Sequence, residues 1–253
     1  MTTPTLDRPT NPAAASVRAT KATDTDRSVR KASITAGVGL VLMSALSAFG
    51  YLIAVKGLVT QGDAARTAQN IAAHEGMFRF GIVSLYLVAA LEVIVAWALY
   101  RLFRPVSKGI SNLAAWLRIA YAGVFVIAIS QLVGVLRLVG TDQLQSHALG
   151  RIHTFTDVWD AGLVLVGLHL FVIAYLAIRS GHVPRLLGLL LAIAGFGYLF
   201  DSLGAALSHG SPPDVAALTG LGEFVFALWL VSRGRSITLS QSGRERHHGS
   251  RNA

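Results

Sequence analysis

The sequence has no cysteine. That absence excludes a disulfide scaffold, a thiolate metal centre and a cysteine-held iron–sulfur cluster. Charge is also scarce: 14% of the 253 residues are Asp, Glu, Lys or Arg, against about a quarter in an ordinary soluble domain. Apolar residues make up 53%, too many for a disordered chain. No HExxH, HxxxH, GxSxG or phosphate-loop pattern occurs, so no metal ligand set, nucleophile elbow or nucleotide site is readable as a motif.

What is present is a series of long stretches nearly free of charge. Ala32 to Val55 is 24 residues without an Asp, Glu, Lys or Arg. Phe80 to Tyr100 carries only Glu92, and Ile119 to Leu136 and Ala161 to Ile178 carry none. Leu186 to Leu207 carries only Asp201, and Val215 to Ser232 only Glu223. A helix needs about 20 mainly apolar residues to cross the hydrocarbon core. Apolar side chains lie all round these segments, as in lipid-embedded helices, whereas a soluble core helix keeps a wet face. The sequence predicts an all-α membrane protein, a bundle of six transmembrane helices near 32–55, 80–100, 114–136, 158–178, 184–207 and 215–232. Residues 1–31 and 235–253 read as polar, disordered cytoplasmic tails flanking a membrane domain over 32–234. The first span is too long for the apolar core of a cleaved signal peptide.

Charge placement sets an orientation. Six spans leave both tails on one side, and that side collects sixteen Lys and Arg with four acids. The other side holds five basic residues in its connections and seven acidic residues in those connections or the adjoining ends of the spans. Basic loops remain in the cytoplasm, so both termini are expected there, in a cell inner membrane. The net charge of +9 is then a matter of topology and anionic lipid. Nucleic acid is not an expected partner, because neither tail contains Phe, Tyr or Trp to stack on bases.

Local signals fill in the connections. Asp63 is placed to cap a short helix rich in alanine within 62–78, with Ile71 and Met77 on the membrane surface. Gly181 and Pro184 bracket a tight turn between spans four and five. Gly188, Ala192, Gly195 and Gly197 offer small surfaces for close helix contact.

The residues Gly62-Asp63-Ala64-Ala65 through Phe78-Arg79-Phe80-Gly81, Arg104-Pro105-Val106-Ser107 and Gly222-Glu223 to Leu228-Trp229 carry a resemblance. So does the long run from Trp159 through Gly167-Leu168-His169-Leu170, Arg179-Ser180-Gly181 and Pro184-Arg185 to Asp201. On these stretches the chain resembles the bacterial family catalogued as domain of unknown function 4386, small multi-pass membrane proteins. The resemblance implies architecture and location, and brings no activity, cofactor or catalytic residue.

An ionised group at mid-bilayer costs about 2.5–3.5 kcal/mol on insertion scales, so each one needs a reason. Asp157, Asp160, Asp201 and Glu223, with His153 and with His169 below them, form one candidate set. They would line an outward-facing polar cavity for a cation, a proton or a small solute, as in a carrier. The competing explanation is interhelical hydrogen bonding with no ligand. Glu92 and Arg118 form a second candidate set, an intramembrane pair, against which stands Arg118 snorkelling to the headgroups. No cofactor or metal is expected: His169 has no second histidine at its depth to share a haem. Two other classes stay open, a membrane-embedded enzyme and a structural or regulatory membrane subunit. The balance of the residues leans away from an enzyme.

Overall fold

The computed structural model describes residues 12–207, 215 and 220–234, with side chains described from Arg27 onward. Among the described residues the chain is helical, with no strand. Helix α1 spans Pro12–Ser47 and continues through a π-helical turn, Ala48–Ile53, and a 3₁₀ turn, Lys56–Leu58. Then follow α2 (Ala64–Ala73), α3 (Glu75–Phe103), α4 (Lys108–Leu136), α5 (Leu144–Ser180), α6 (Arg185–Leu207) and α7 (Leu221–Arg233).

Five helical segments are long and apolar enough to cross a membrane: Arg27–Leu58, Glu75–Phe103, Lys108–Leu136, Leu144–Ser180 and Arg185–Gly204. Helix α7 has 13 residues, about 20 Å at 1.5 Å per residue, shorter than a full crossing. Outward faces are apolar: Phe80, Trp97, Leu113, Trp116, Ile127, Leu186 and Phe196 are all exposed. Such a surface is stable against lipid and not against water.

The long helices close into a ring that follows chain order. Helix α1 packs on α3, α3 on α4, α4 on α5, α5 on α6, α6 on α7, and α7 back on α1. Glycine makes two of these seams possible. A Cβ on Gly195 would lie 2.8 Å from the Gly167 carbonyl oxygen across the α5–α6 contact, and one on Gly222 would lie 2.7 Å from that of Leu190 across α6–α7. The α7–α1 seam is pinned where the Ser33 hydroxyl donates to the Leu230 carbonyl at 3.2 Å.

One end of the ring is basic. The Arg101 guanidinium donates to the Ser28 hydroxyl at 2.5 Å, and the Phe103 ring stacks on His182. Both contacts place the middle of α1, the α3–α4 connection and the α5–α6 turn together. Arg101 lies over Trp97 and Arg179 over Tyr175, at 5.6 and 5.8 Å from the ring centres, a pairing suited to the headgroup region. The α5–α6 turn is built as the sequence indicates: Gly181 has φ of 71°, the left-handed C-cap.

The opposite end is capped by α2. The Asp63 carboxylate accepts from the Arg66 amide at 2.8 Å, Thr67 hydrogen-bonds the backbone of Thr60 and Asp63, and the Asn70 amide donates to the Leu58 carbonyl. Helix α2 packs against the first turns of α5, so Ile71, expected on the membrane surface, is instead fully buried in protein.

Two boundaries differ from the sequence reading. The stretch expected to be a disordered tail over 1–31 is helical from Pro12. Proline presets the first helical φ, alanines follow it, and Val29 and Ala32 are buried. Helix α5 begins at Leu144, well before the span start expected at 158, because its early turns have α2 to pack on. The tail 235–253 and most of the stretch 208–219 lie outside the described residues.

Candidate functional site

Four charged or titratable residues sit at one depth. Glu92 is eleven residues before Phe103, Arg118 ten after Lys108, His169 eleven before Ser180 and Glu223 ten before Arg233. At 1.5 Å per residue each lies about 15 Å from the basic end, half of the ~30 Å hydrocarbon thickness. Glu223 therefore shares the depth of Arg118, deeper than the outer half expected from the sequence.

Arg118 on α4 is the hub. Its Nε stands 2.5 Å from Glu92 Oε2 on α3, both side chains almost wholly buried. The Nε–H is not aimed along this contact, so it is a charge pair without a well-directed hydrogen bond. Nη1 donates to His169 Nε2 on α5 at 3.1 Å and approaches Glu223 Oε1 on α7 at 3.5 Å. His169 Nδ1 lies 2.8 Å from the Ala114 carbonyl, back on α4. A guanidinium only donates, so His169 Nε2 must accept and Nδ1 must carry the proton donated to Ala114. Both ring nitrogens are committed, and the imidazole is neutral in this arrangement. A snorkelling arginine would reach for the headgroups; this one turns sideways to three neighbouring helices.

The hub forms one wall of a cavity of about 460 Å³ at the centre of the ring, to which all six ring helices contribute. Leu40, Met43, Val88, Leu163, Val166 and Ala227 make its apolar wall. Its polar groups include Ser44 and Ser47 on α1, with Glu92, Arg118 and Glu223. Six aromatic side chains line the remainder: Tyr51, Tyr121, Phe125, Trp159, Tyr198 and Phe224. The Trp159 indole N–H donates to the Tyr121 hydroxyl at 2.8 Å, and Tyr51 meets Trp159 edge-on at 4.6 Å between centroids. The π-helical turn carries Tyr51, and its Gly50 lies against Gly81, Ser84 and Leu85 of α3. Ser44, Ala48, Leu52 and Phe224 are lining residues that are also exposed, so the cavity opens between α1 and the start of α7, toward the α2 end.

The two candidate sets of the sequence are thus redistributed. Glu92, Arg118 and Glu223 line the cavity together, and His169 stands behind Arg118. Asp157, Asp160 and Asp201 are not among its lining residues. Asp157 and His153 are exposed on α5. The Asp160 carbonyl accepts from Ser202, tying α5 to α6. Asp201 Oδ1 accepts from the Val215 amide at 3.2 Å, tying α6 to the stretch before α7. Among the described residues no three His, Asp or Glu side chains are grouped to hold a metal ion. The aromatic lining was not singled out from the sequence. Its residues come from five helices, and only Tyr121 and Phe125 share a helical spacing, so no local signal marks the set.

An "Uncharacterized protein" of the archaeon Archaeoglobus fulgidus is 35% identical over 159 residues, covering 63% of this chain and 86% of its own length. The relatives are therefore not confined to bacteria. No solved structure matches the chain. The family described as Domain of unknown function (DUF4386) matches residues 35–234, the extent of the helical ring, and the chain belongs to that family.

Proposed function

We propose that this protein is a carrier-like membrane protein that binds a small solute, cation or proton in its central cavity. The observation that carries the reading is the Arg118 hub: a guanidinium and two carboxylates at mid-depth, bordering a cavity of about 460 Å³. Groups of this kind within a membrane mark solute and ion pathways, and the size falls within the range of small-molecule sites, about 300–1,000 Å³. The sixth span is the one read from the sequence near 215–232, and helix α7 is its described part. Both termini are cytoplasmic in a cell inner membrane, because the basic end of the ring collects Arg27, Arg30, Lys31, Arg101, Arg104, Lys108, Arg179, Arg185 and Arg233. The cavity then faces outward.

The test uses the purified chain in detergent and a panel of sodium, potassium, amines, amino acids and sugars. The reading requires at least one class to raise the unfolding temperature of the wild type and not that of a cavity-filling Val166→Trp variant. Identical responses of both proteins across the panel contradict it. Reporter fusions in the 104–108 and 139–143 connections test the orientation; the first must report cytoplasm and the second the outside.

A further inference from the structure

We infer that the cavity takes a small organic monocation with an apolar body, an amine or quaternary ammonium, which enters as the counter-ion of Glu223. This rests on the reading of the cavity as a solute site. Charge balance is the first argument. Among the described residues Glu92 and Glu223 face a single guanidinium, and His169 is held neutral by its two hydrogen bonds. With both carboxyl groups ionised, the site carries one surplus negative charge within apolar walls. Such a surplus is costly and calls for a partner. An anion would double it; a proton or a cation closes it.

Reach is the second argument. Arg118 Nη1 stands 3.1 Å from His169 Nε2 and Nε stands 2.5 Å from Glu92, so Glu223 at 3.5 Å is its most distant partner. Glu223 is also the most accessible of the three, with its side chain 19% exposed against 7% for Glu92 and 5% for Arg118. The third argument is the aromatic lining. Ring faces attract cations, and six aromatic side chains with the apolar wall suit an ammonium carrying a hydrophobic body. A bare inorganic ion is too small to touch those walls.

The ammonium pairs with the Glu223 carboxylate, and no covalent bond to the ligand forms. The titratable and charged groups sharing the cavity with Glu223 are Arg118 and Tyr121 of α4, Glu92 of α3, Tyr198 of α6 and Tyr51 of the π turn, with Trp159 of α5 bonded to Tyr121.

The test is calorimetry on the full chain in lipid nanodiscs. The probes are benzyltrimethylammonium, benzyl alcohol and benzenesulfonate. The expected result is binding of the cation alone. Glu223→Gln is expected to weaken the cation about tenfold or more. Should that variant fail to fold, the choice of the wild type among the three probes still decides. Cation binding undiminished in a folded Glu223→Gln overturns the inference, as does binding of benzenesulfonate. Binding of benzyl alcohol in preference to the cation overturns it and leaves the solute site standing. If none of the three binds, the inference falls, and the solute panel alone then judges the site.

Discussion

Arg118 and Glu92 meet at 2.5 Å between two helices that the chain connects only through the short turn at Arg104–Ser107. Breaking a buried pair from one side leaves an uncompensated charge, at a cost of about 3–5 kcal/mol, whereas replacing both partners by neutral groups is often tolerated. Glu92→Gln alone is therefore expected to lower the yield and unfolding temperature of the detergent-purified protein. Glu92→Gln combined with Arg118→Met is expected to recover most of the loss. A double variant as unstable as the single one would show that the pair is not a unit.

His169 gives a spectroscopic prediction. Its hydrogen bonds to Arg118 and Ala114 require the Nδ1–H tautomer, and nitrogen NMR of selectively labelled histidine at neutral pH should report it. An Nε2–H tautomer would show that Arg118 does not face the ring. His169→Ala removes the bond across α4 and α5 and is expected to cost about 1–3 kcal/mol, read in the same unfolding assay.

The glycine seams predict opposite outcomes for one kind of substitution. Gly195→Ala puts a methyl 2.8 Å from the Gly167 carbonyl oxygen, whereas a Cβ on Gly123 meets nothing within 4 Å. Overpacking costs about 1–3 kcal/mol, while alanine in an open helical position gains up to about 1 kcal/mol over glycine. Gly195→Ala should destabilise the protein and Gly123→Ala should not, as measured by unfolding temperature.

His182, in the turn at the basic end, supplies a pH dependence. Burial against Phe103 holds its pKa below the ordinary 6.5, and the bond to the Ser180 carbonyl works weakly the other way. A histidine kept neutral by folding contributes stability that is present above its unfolded pKa and is lost as pH falls below it. The unfolding temperature should therefore drop between about pH 7.5 and about pH 5, and His182→Phe should flatten that drop. An unchanged slope in His182→Phe would place the titrating group elsewhere.

Much of this was legible in the sequence, for identifiable reasons. Charge-free runs reported the long helices, because lipid tolerates no solvated face. Gly181 and Asp63 reported their caps, because those positions need a left-handed residue and a side-chain acceptor. What could not be read was that His169 and Glu223 stand with Arg118 and Glu92. Glu223 was grouped with Asp157, Asp160 and Asp201 because all lie toward the same ends of their spans. Depth in a bundle depends on where each helix begins: α5 starts at Leu144, and Asp157 stands exposed twelve residues before His169. The meeting of Glu92, Arg118, His169 and Glu223 depends on helix rotation about the ring, which an apolar pattern without a wet face does not encode.

The absence of native cysteine makes the central claim, a water-reachable cavity inside the ring, directly measurable. Val166 lines the cavity, and Leu168, two residues on in the same helix, faces outward with 41% of its surface exposed. Single cysteines at these positions are to be treated in native membranes with a small cationic methanethiosulfonate. Val166→Cys should react and Leu168→Cys, facing lipid, should not; an unreactive Val166→Cys beside a reactive Leu168→Cys would contradict the account.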